Sequence, residues 1–256
     1  MPRFFVEPKH IKGSKISIRG KEARHITNVL RLDRGDMITV FNGEGKEYAV
    51  LIEVIAETSV EGRIIHEKIQ ERKPFVEITL FQGLPKSVKM DFIVEKCTEI
   101  GVHRIVPMIT SRTVPDVDEE KMAERAKRWE RIAKEASKQS GRTKITEIGK
   151  PVLFRDALNG DFDFRIIPWE DERTRTLKET LKSLRIEFYP CRIGIYIGPE
   201  GGFTRDEIGQ AKYNGVVSVS LGSTVLRTET AGLVSSAIVM YEFEPKLKGI
   251  SFSSEN

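Results

Sequence analysis

Long apolar runs are missing from this chain of 256 residues. No stretch of about 18 or more apolar residues occurs, so no membrane-spanning helix is expected. The N-terminus, MPRFFVEPKHIKG, holds no long apolar segment, so no signal peptide is expected either. Cysteine is scarce: Cys97 and Cys191 stand far apart, in no metal-ligand spacing. Reduced thiols in a cytoplasmic protein are the expected state, and no metal is expected. Lysine is absent from the richest glycine cluster, Gly198-Pro199-Glu200-Gly201-Gly202. A P-loop needs a lysine and a Ser/Thr after its glycines, which argues against a nucleoside triphosphate there. The cluster also fails the G-x-G-x-x-G pattern and falls late in the chain, against a dinucleotide fingerprint.

Hydrophobic residues at 39% suffice for a core, and 31% charged residues suit a water-facing surface. The length suggests one large domain or two smaller ones. The net charge of +4 hides an asymmetry. Residues 1–34 hold nine basic residues against three acidic, and residues 121–150 hold ten against four. Each segment carries +6, and the remainder carries −8. Two basic segments on a near-neutral chain suggest a polyanion, RNA or DNA first, or else a solvated helix face.

Residues 1–72 read as a small β-rich unit. Apolar alternation predicts strands at Lys15 to Arg19, Met37 to Phe41, Tyr48 to Val54 and Arg63 to Ile69. Asn42-Gly43-Glu44-Gly45 is a hairpin turn signal. One helix is expected from Lys21 to Leu30, with Ala23, Ile26, Val29 and Leu30 on its buried stripe. Many short strands around one helix suggest a small barrel. Gln70-Glu71-Arg72-Lys73-Pro74 marks a boundary, and 73–256 is the second domain. There strands and helices alternate. Strands are expected at Val76–Phe81, Val102–Ile109, Arg165–Pro168, Ile193–Ile197 and Val216–Leu221. Helices are expected at Met90–Ile100, from Asp116 to Gly141, at Thr174–Leu184, from Thr204 to Asn214, and at Thr228–Phe243. The stripe of the longest is Met122, Ala126, Trp129, Ile132, Ala133 and Ala136. Asp116 with Glu119, and Thr204 with Glu207, have capping-box spacing. Such alternation implies a mostly parallel α/β sheet covered on both faces. The tail Ser251 to Asn256 is expected to fray.

Parallel sheets bind ligands at the carboxyl ends of their strands. Three such ends carry unusual loops, at residues 81–86, 198–203 and 221–227. Arg227 and Glu229 fall at the start of the last helix. A carboxylate there suits the helix dipole, whereas an arginine opposes it and is explained by an anionic partner or a salt bridge.

"IGPEGGFTRDEI" and "LGSTVLRTETA" resemble the second and third motifs of the SPOUT methyltransferases. "MPRFFV", "HITNVLRLDRGD", "KMDFIVEKCTEIGVHRIVP" and "WERIAKEASKQSGRT" extend the likeness, in order, over nearly the whole chain. Together they resemble the bacterial 16S ribosomal RNA uridine-N3 methyltransferases. The resemblance implies a PUA-like N-terminal β-barrel and a catalytic α/β domain tied in a deep trefoil knot. It implies S-adenosylmethionine as methyl donor, a homodimer, and one uridine near the 3′ end of small-subunit rRNA as substrate. Thr224-Val225 departs from the family, whose members often carry Arg before Ile or Val there. Ribose 2′-O methylation by the same fold and a non-catalytic ribosome-assembly factor are the alternatives.

On that resemblance, Leu84, Ile197, Gly198 and Gly202 are expected to hold the methyl donor, with Leu221, Gly222, Leu226 and Ala231. Leu84 and Leu226 also read as core residues. Uridine N3 must lose a proton before or during attack. Arg227 is expected to stabilise charge on O2 or O4, or to grip phosphate. Glu200 and Glu229 are candidate bases, or else they orient Arg227. His25 is expected at the surface or on RNA, not as the base. Arg3, Arg24, Arg31 and Arg34 are expected to grip rRNA phosphates through the barrel. Arg112, Gln139 and Arg142 are expected to do so beside the catalytic site.

Overall fold

Alternation of side chains builds the first strands as expected. In the computed structural model Ile16, Ile18, Ile38, Val40, Val50 and Ile52 point inward and are fully buried. Residues 1–69, 74–86, 88–114, 118–186 and 189–243 are described. The linker at residues 70–73, the expected helix start at Asp116 and the tail from Ser251 lie outside them. The chain divides into two compact units. One comprises Met1–Lys73, Ser87–Ile105 and Asp116–Lys150; the other comprises Pro74–Lys86, Val106–Pro115 and Pro151–Asn256.

The first strands are β1 (Arg3–Phe5), β2 (Ile11–Lys12), β3 (Lys15–Arg19), β4 (Met37–Phe41), β5 (Lys46–Ile55) and β6 (Ser59–Ile69). They form one sheet in the order β1-β4-β5-β6-β3-β2. The β4–β5 hairpin turns where Asn42-Gly43-Glu44-Gly45 predicts. The Asn42 side-chain oxygen accepts from the backbone N–H of Glu44 at 2.9 Å and of Lys46 at 3.0 Å. Gly43 and Gly45 take the positive φ values that such a turn requires. Helix α1 (Gly20–Arg24) is shorter than the pattern suggests, because the chain passes into a π-helical turn over His25–Val29. Ala23 and Ile26 are buried as expected, but Val29 and Leu30 are not: they are 68% and 38% exposed. The wider turn rotates them off the stripe that an uninterrupted α-helix would have kept inward.

Beyond residue 74 the chain runs through β7 (Val76–Gly83), α2 (Lys89–Glu99), β8 (Arg104–Ile109) and α3 (Glu119–Gln139). Then come β9 (Glu147–Ile148), β10 (Val152–Leu153), α4 (Phe154–Ala157), β11 (Phe164–Pro168) and α5 (Leu177–Ser183). The last elements are β12 (Cys191–Ile197), α6 (Arg205–Tyr213), β13 (Val217–Val219) and α7 (Thr228–Phe243). Short β1, β9, β10 and α4 lack a periodic signature and escape the sequence reading. Asp118 caps α3, accepting from the Lys121 N–H at 3.1 Å. Helix α5 begins later than Thr174 because Thr176 and Glu179 form its capping box.

Helices α2 and α3 pack together in the first unit. Met90, Ile93, Val94 and Cys97 of α2 are buried, at the 3–4 residue spacing of one helix face. Met122, Trp129, Ala133 and Ala136 of α3 are buried, while Ala126 and Ile132 are half-buried. In the second unit the strand order is β10-β8-β7-β12-β11-β13. β8 pairs with β10, and β12 pairs with both β7 and β11, all parallel, as does β11 with β13. Strand β12 is buried at every position except Arg192, the apolar run of a strand covered on both faces.

Helix α7 packs on β7 and β12. Its buried residues are small or hydroxylated: Thr228, Gly232, Ser235 and Ser236, with Val239 the one larger apolar residue. The bulkier Leu233, Val234 and Met240 are half-buried, Ile238 is 38% exposed and Tyr241 is 81% exposed.

Candidate functional site

The carboxyl ends of β7 and β12 approach so closely that only glycine fits between them. A Cβ on Gly83 would lie 2.5 Å from the Pro199 nitrogen and 2.7 Å from the Gly198 carbonyl carbon. Gln82, fully buried at the end of β7, joins these loops to the third. Its side-chain N–H₂ donates to the Thr228 hydroxyl at 2.8 Å and to the Gly83 carbonyl at 3.1 Å. The Thr228 hydroxyl in turn donates to the Gly198 carbonyl at 2.5 Å. A polar chain thus runs from β7 through the first residue of α7 to the loop after β12. Gly232, one turn along α7, faces the same amide: a Cβ there would sit 2.8 Å from Gln82 Oε1.

The second loop is bracketed on all sides. Gly202 donates its N–H to the Pro199 carbonyl at 2.9 Å and takes φ +67°. Arg112 Nη1 donates to the Gly201 carbonyl at 2.6 Å. Glu200 Oε1 accepts from the backbone N–H of Lys86 at 3.0 Å, clasping the first loop. The Glu170 carboxylate lies over Gly202, 2.6 Å from where its Cβ would be. The exit into α6 is the expected capping box. Glu207 accepts from the Thr204 N–H at 2.8 Å, and Thr204 Oγ1 from the Glu207 N–H at 3.2 Å. Buried Glu207 does more than cap, because its other oxygen accepts from the Ser111 N–H at 2.8 Å. Nearby Glu172 is held down to about 2, chiefly by hydrogen bonds from the Thr174 hydroxyl and N–H. That ionised carboxylate fixes the turn after β11.

Among the expected donor-binding residues, Leu84 and Ile197 are buried, and Leu84 donates its N–H to the Met108 carbonyl at 3.0 Å. Gly198 and Gly202 lie against each other. Leu221, Leu226 and Ala231 are half-buried. Gly222 is exposed at φ +136°, its N–H 3.3 Å from the Ser220 hydroxyl in its own loop. Arg227 is exposed, and its guanidinium makes no hydrogen bond or ion pair among the described residues. Glu229 is half-buried in the first turn of α7.

Two of the expected phosphate ligands spend their donors within the fold. Arg3 donates to Glu47 at 3.1 Å, to the Ser137 carbonyl at 3.0 Å and to the Arg142 carbonyl at 2.8 Å. Its guanidinium also lies 4.0 Å from the Phe41 ring. Arg142 donates to the carbonyls of Thr98 and Val102 and to the Thr146 hydroxyl, and burial pushes its guanidinium down to about 10. Both arginines satisfy helix-end and loop carbonyls that would otherwise be left buried without donors. Arg112 is exposed but spends one nitrogen on the second loop. Arg24, Arg31, Arg34 and Gln139 are exposed. In the sequence Gln82 reads as a strand residue, although a polar residue closing the apolar run of β7 is a legible signal, and Thr228 reads only as a helix start.

The loops offer backbone carbonyls, backbone N–H groups and small side chains, and the second contains no lysine or arginine. That donor set fits an uncharged purine nucleoside rather than a phosphate chain. The β unit and the glycine-looped parallel sheet each match a family of RNA methyltransferases. The family described as RNA methyltransferase domain matches residues 71–240, and the RNA methyltransferase PUA domain matches residues 18–65. Ribosomal RNA small subunit methyltransferase E of Bacillus subtilis is 30% identical over 95% of this chain and 98% of its own length. Its counterpart from Aquifex aeolicus is 31% identical over 90% and 95%. The Neisseria gonorrhoeae methyltransferase E structure, bound to S-adenosylmethionine, superposes with a TM-score of 0.82 at 31% identity, over 94% of this chain and 97% of that one. The chain belongs to the family of ribosomal RNA small subunit methyltransferase E.

Proposed function

We propose that this protein methylates N3 of one uridine in the decoding region near the 3′ end of 16S rRNA. It is an S-adenosylmethionine-dependent small-subunit rRNA methyltransferase by family membership; the particular base and atom are the proposal. The observation that carries it is the Gln82–Thr228–Gly198 chain, which knits three backbone-lined loops beside an arginine with unspent donors.

Leu84, Ile197, Gly198, Gly202, Leu221, Gly222, Leu226 and Ala231 would hold the donor, which supplies a methyl carbon on a positively charged sulfur. The protein's task is then the nucleophile. The imide proton of uridine must leave N3, and negative charge spreads to O2 and O4. Arg227 would receive that charge through charge-assisted hydrogen bonds. Glu200 of the second loop and Glu229 of the first turn of α7 are the proposed proton acceptors, or else they orient Arg227. Glu200 also accepts from the Lys86 N–H, which ties it to the first loop. Arg24, Arg31, Arg34 and Gln139 are the proposed RNA contacts. Residues 1–72 are proposed as the RNA-reading domain and 73–256 as the catalytic one, in line with the two family matches. The trefoil knot belongs to the same proposal, supported by central β12 and the meeting of its loop with the start of α7. The cytoplasm is the proposed compartment: Cys97 and Cys191 are both free and buried, and burial pushes the Cys97 thiol up to about 12. No helix among the described residues is long and apolar enough to cross a membrane.

The test is methyl transfer to small subunits lacking the modification, followed by nucleoside analysis of the mapped product. 3-Methyluridine is expected; a 2′-O-methylated nucleoside would replace this reading with ribose methylation, and no product would leave an assembly factor.

A homodimer is part of the proposal. Helix α7 turns small residues to its own sheet and bulkier apolar ones outward, the reverse of a surface helix. A second copy covering Ile238 and Tyr241 resolves that pattern. Sedimentation should show a dimer, and Ile238→Lys with Tyr241→Lys should yield monomer. A native chain that sediments as monomer at micromolar concentration removes this part.

A further inference from the structure

Residues 24–34 combine four features at the surface of the β unit, where the Leu32 N–H on the Ile26 carbonyl at 3.1 Å closes the helical turn. The α-helix widens into a π turn, closed by the Leu30 N–H on the His25 carbonyl at 3.0 Å. Arg31 follows at φ +52°, the one non-glycine residue with positive φ among the described residues. That conformation costs a bulky side chain energy that glycine would not pay. Val29 and Leu30 are turned outward, at 68% and 38% exposure. Arg24, Arg31 and Arg34 are exposed, with no side-chain hydrogen bond or ion pair among the described residues. Strain and π turns persist where surrounding structure or function maintains them.

We propose that this segment is a base-docking knuckle for single-stranded RNA. Val29 and Leu30 pack against the face of an unpaired base, and Arg24, Arg31 and Arg34 hold neighbouring phosphates. Specific RNA recognition targets splayed bases in loops and ends, and three unspent guanidiniums favour a polyanion over an apolar protein face. The proposal rests on the reading of this chain as an rRNA methyltransferase and names the element that grips the substrate.

The test uses the full chain and labelled small-subunit rRNA in a salt series. Val29→Ser with Leu30→Ser should weaken binding about tenfold without changing the salt slope. Arg24→Ala with Arg34→Ala should weaken binding and lower the slope by roughly one per charge removed. Arg31→Gly should raise the Tm, by relieving the strained backbone, and still weaken binding. S-adenosylmethionine affinity should be native in all three. Native rRNA affinity in the Val29/Leu30 variant, or a stabilised Arg31→Gly chain that binds rRNA as before, overturns the proposal. So does a Val29/Leu30 variant that binds naked rRNA normally and loses only assembled subunits, since its partner would then be a protein. If the native chain binds no rRNA at all, the functional reading itself fails.

Discussion

Arg227→Ala is expected to lower kcat by about 10²–10³-fold, the cost of removing one donor aimed at developing oxyanion charge. Affinity for S-adenosylmethionine should be unchanged. The guanidinium takes no part in holding the loops: its donors meet no described residue, and α7 is tied down by Thr228 and by the Ala231 N–H on the Arg227 carbonyl. Folding therefore should not suffer, and the Tm of the variant is expected to stay native. Its position at the positive end of α7 is electrostatically poor for a cation. On the proposed mechanism, an anion forming in front of it would supply the compensation. Arg227→Lys keeps the charge and loses the planar fork, so an intermediate rate is expected. Single-turnover kinetics with saturating rRNA separates the two possible uses of the side chain. A transition-state role lowers the rate at saturation, whereas a phosphate grip raises the rRNA concentration needed and leaves that rate alone. A variant with native rate at saturation would exclude Arg227 from the chemistry.

The elements legible in the sequence are those whose periodicity is uninterrupted. Val76–Gly83, Cys191–Ile197 and the capped helix from Arg205 lie within a few residues of where pattern and capping place them. The failures have local causes. Val29 and Leu30 look like core because helical spacing assumes an α turn, and nothing in HITNV announces a π turn. That Arg3 and Arg142 spend donors inside the fold is equally invisible, because the sequence does not show a carbonyl 134 residues away or one across a helix end. At the site, the glycines are visible as letters, but the reasons differ among them. Gly202 is required by its φ of +67° and by the Glu170 carboxylate; Gly83 is required by the backbone of another loop. Gln82 passes as a strand residue until its amide is found between two loops. Long-range pairing of this kind leaves no periodic trace.

Gly83→Ala carries the other large expected effect. Its Cβ would lie 2.5 Å from the Pro199 nitrogen and 2.7 Å from both Gly198 C and Pro199 Cδ. None of these is the tip of a flexible side chain, so the loops after β7 and β12 must part. Parting them pulls Gly198 from the Thr228 hydroxyl and Lys86 from Glu200. The overpacking alone should cost about 1–3 kcal/mol of stability. Cofactor affinity should collapse with it, because the backbone groups proposed to hold the purine sit on the displaced loop. Gly209→Ala is the matched control: it lies in α6, exposed, with nothing within 4 Å of an added Cβ. It should stabilise by up to about 1 kcal/mol through helix propensity and leave activity intact. Thermal unfolding and calorimetric titration with S-adenosylmethionine, both on the same preparations, distinguish local from global damage. A chain that is merely less stable binds normally below its transition, whereas a chain with displaced loops binds poorly even when folded. Native affinity in folded Gly83→Ala would show that the cofactor does not depend on the contact between these two loops.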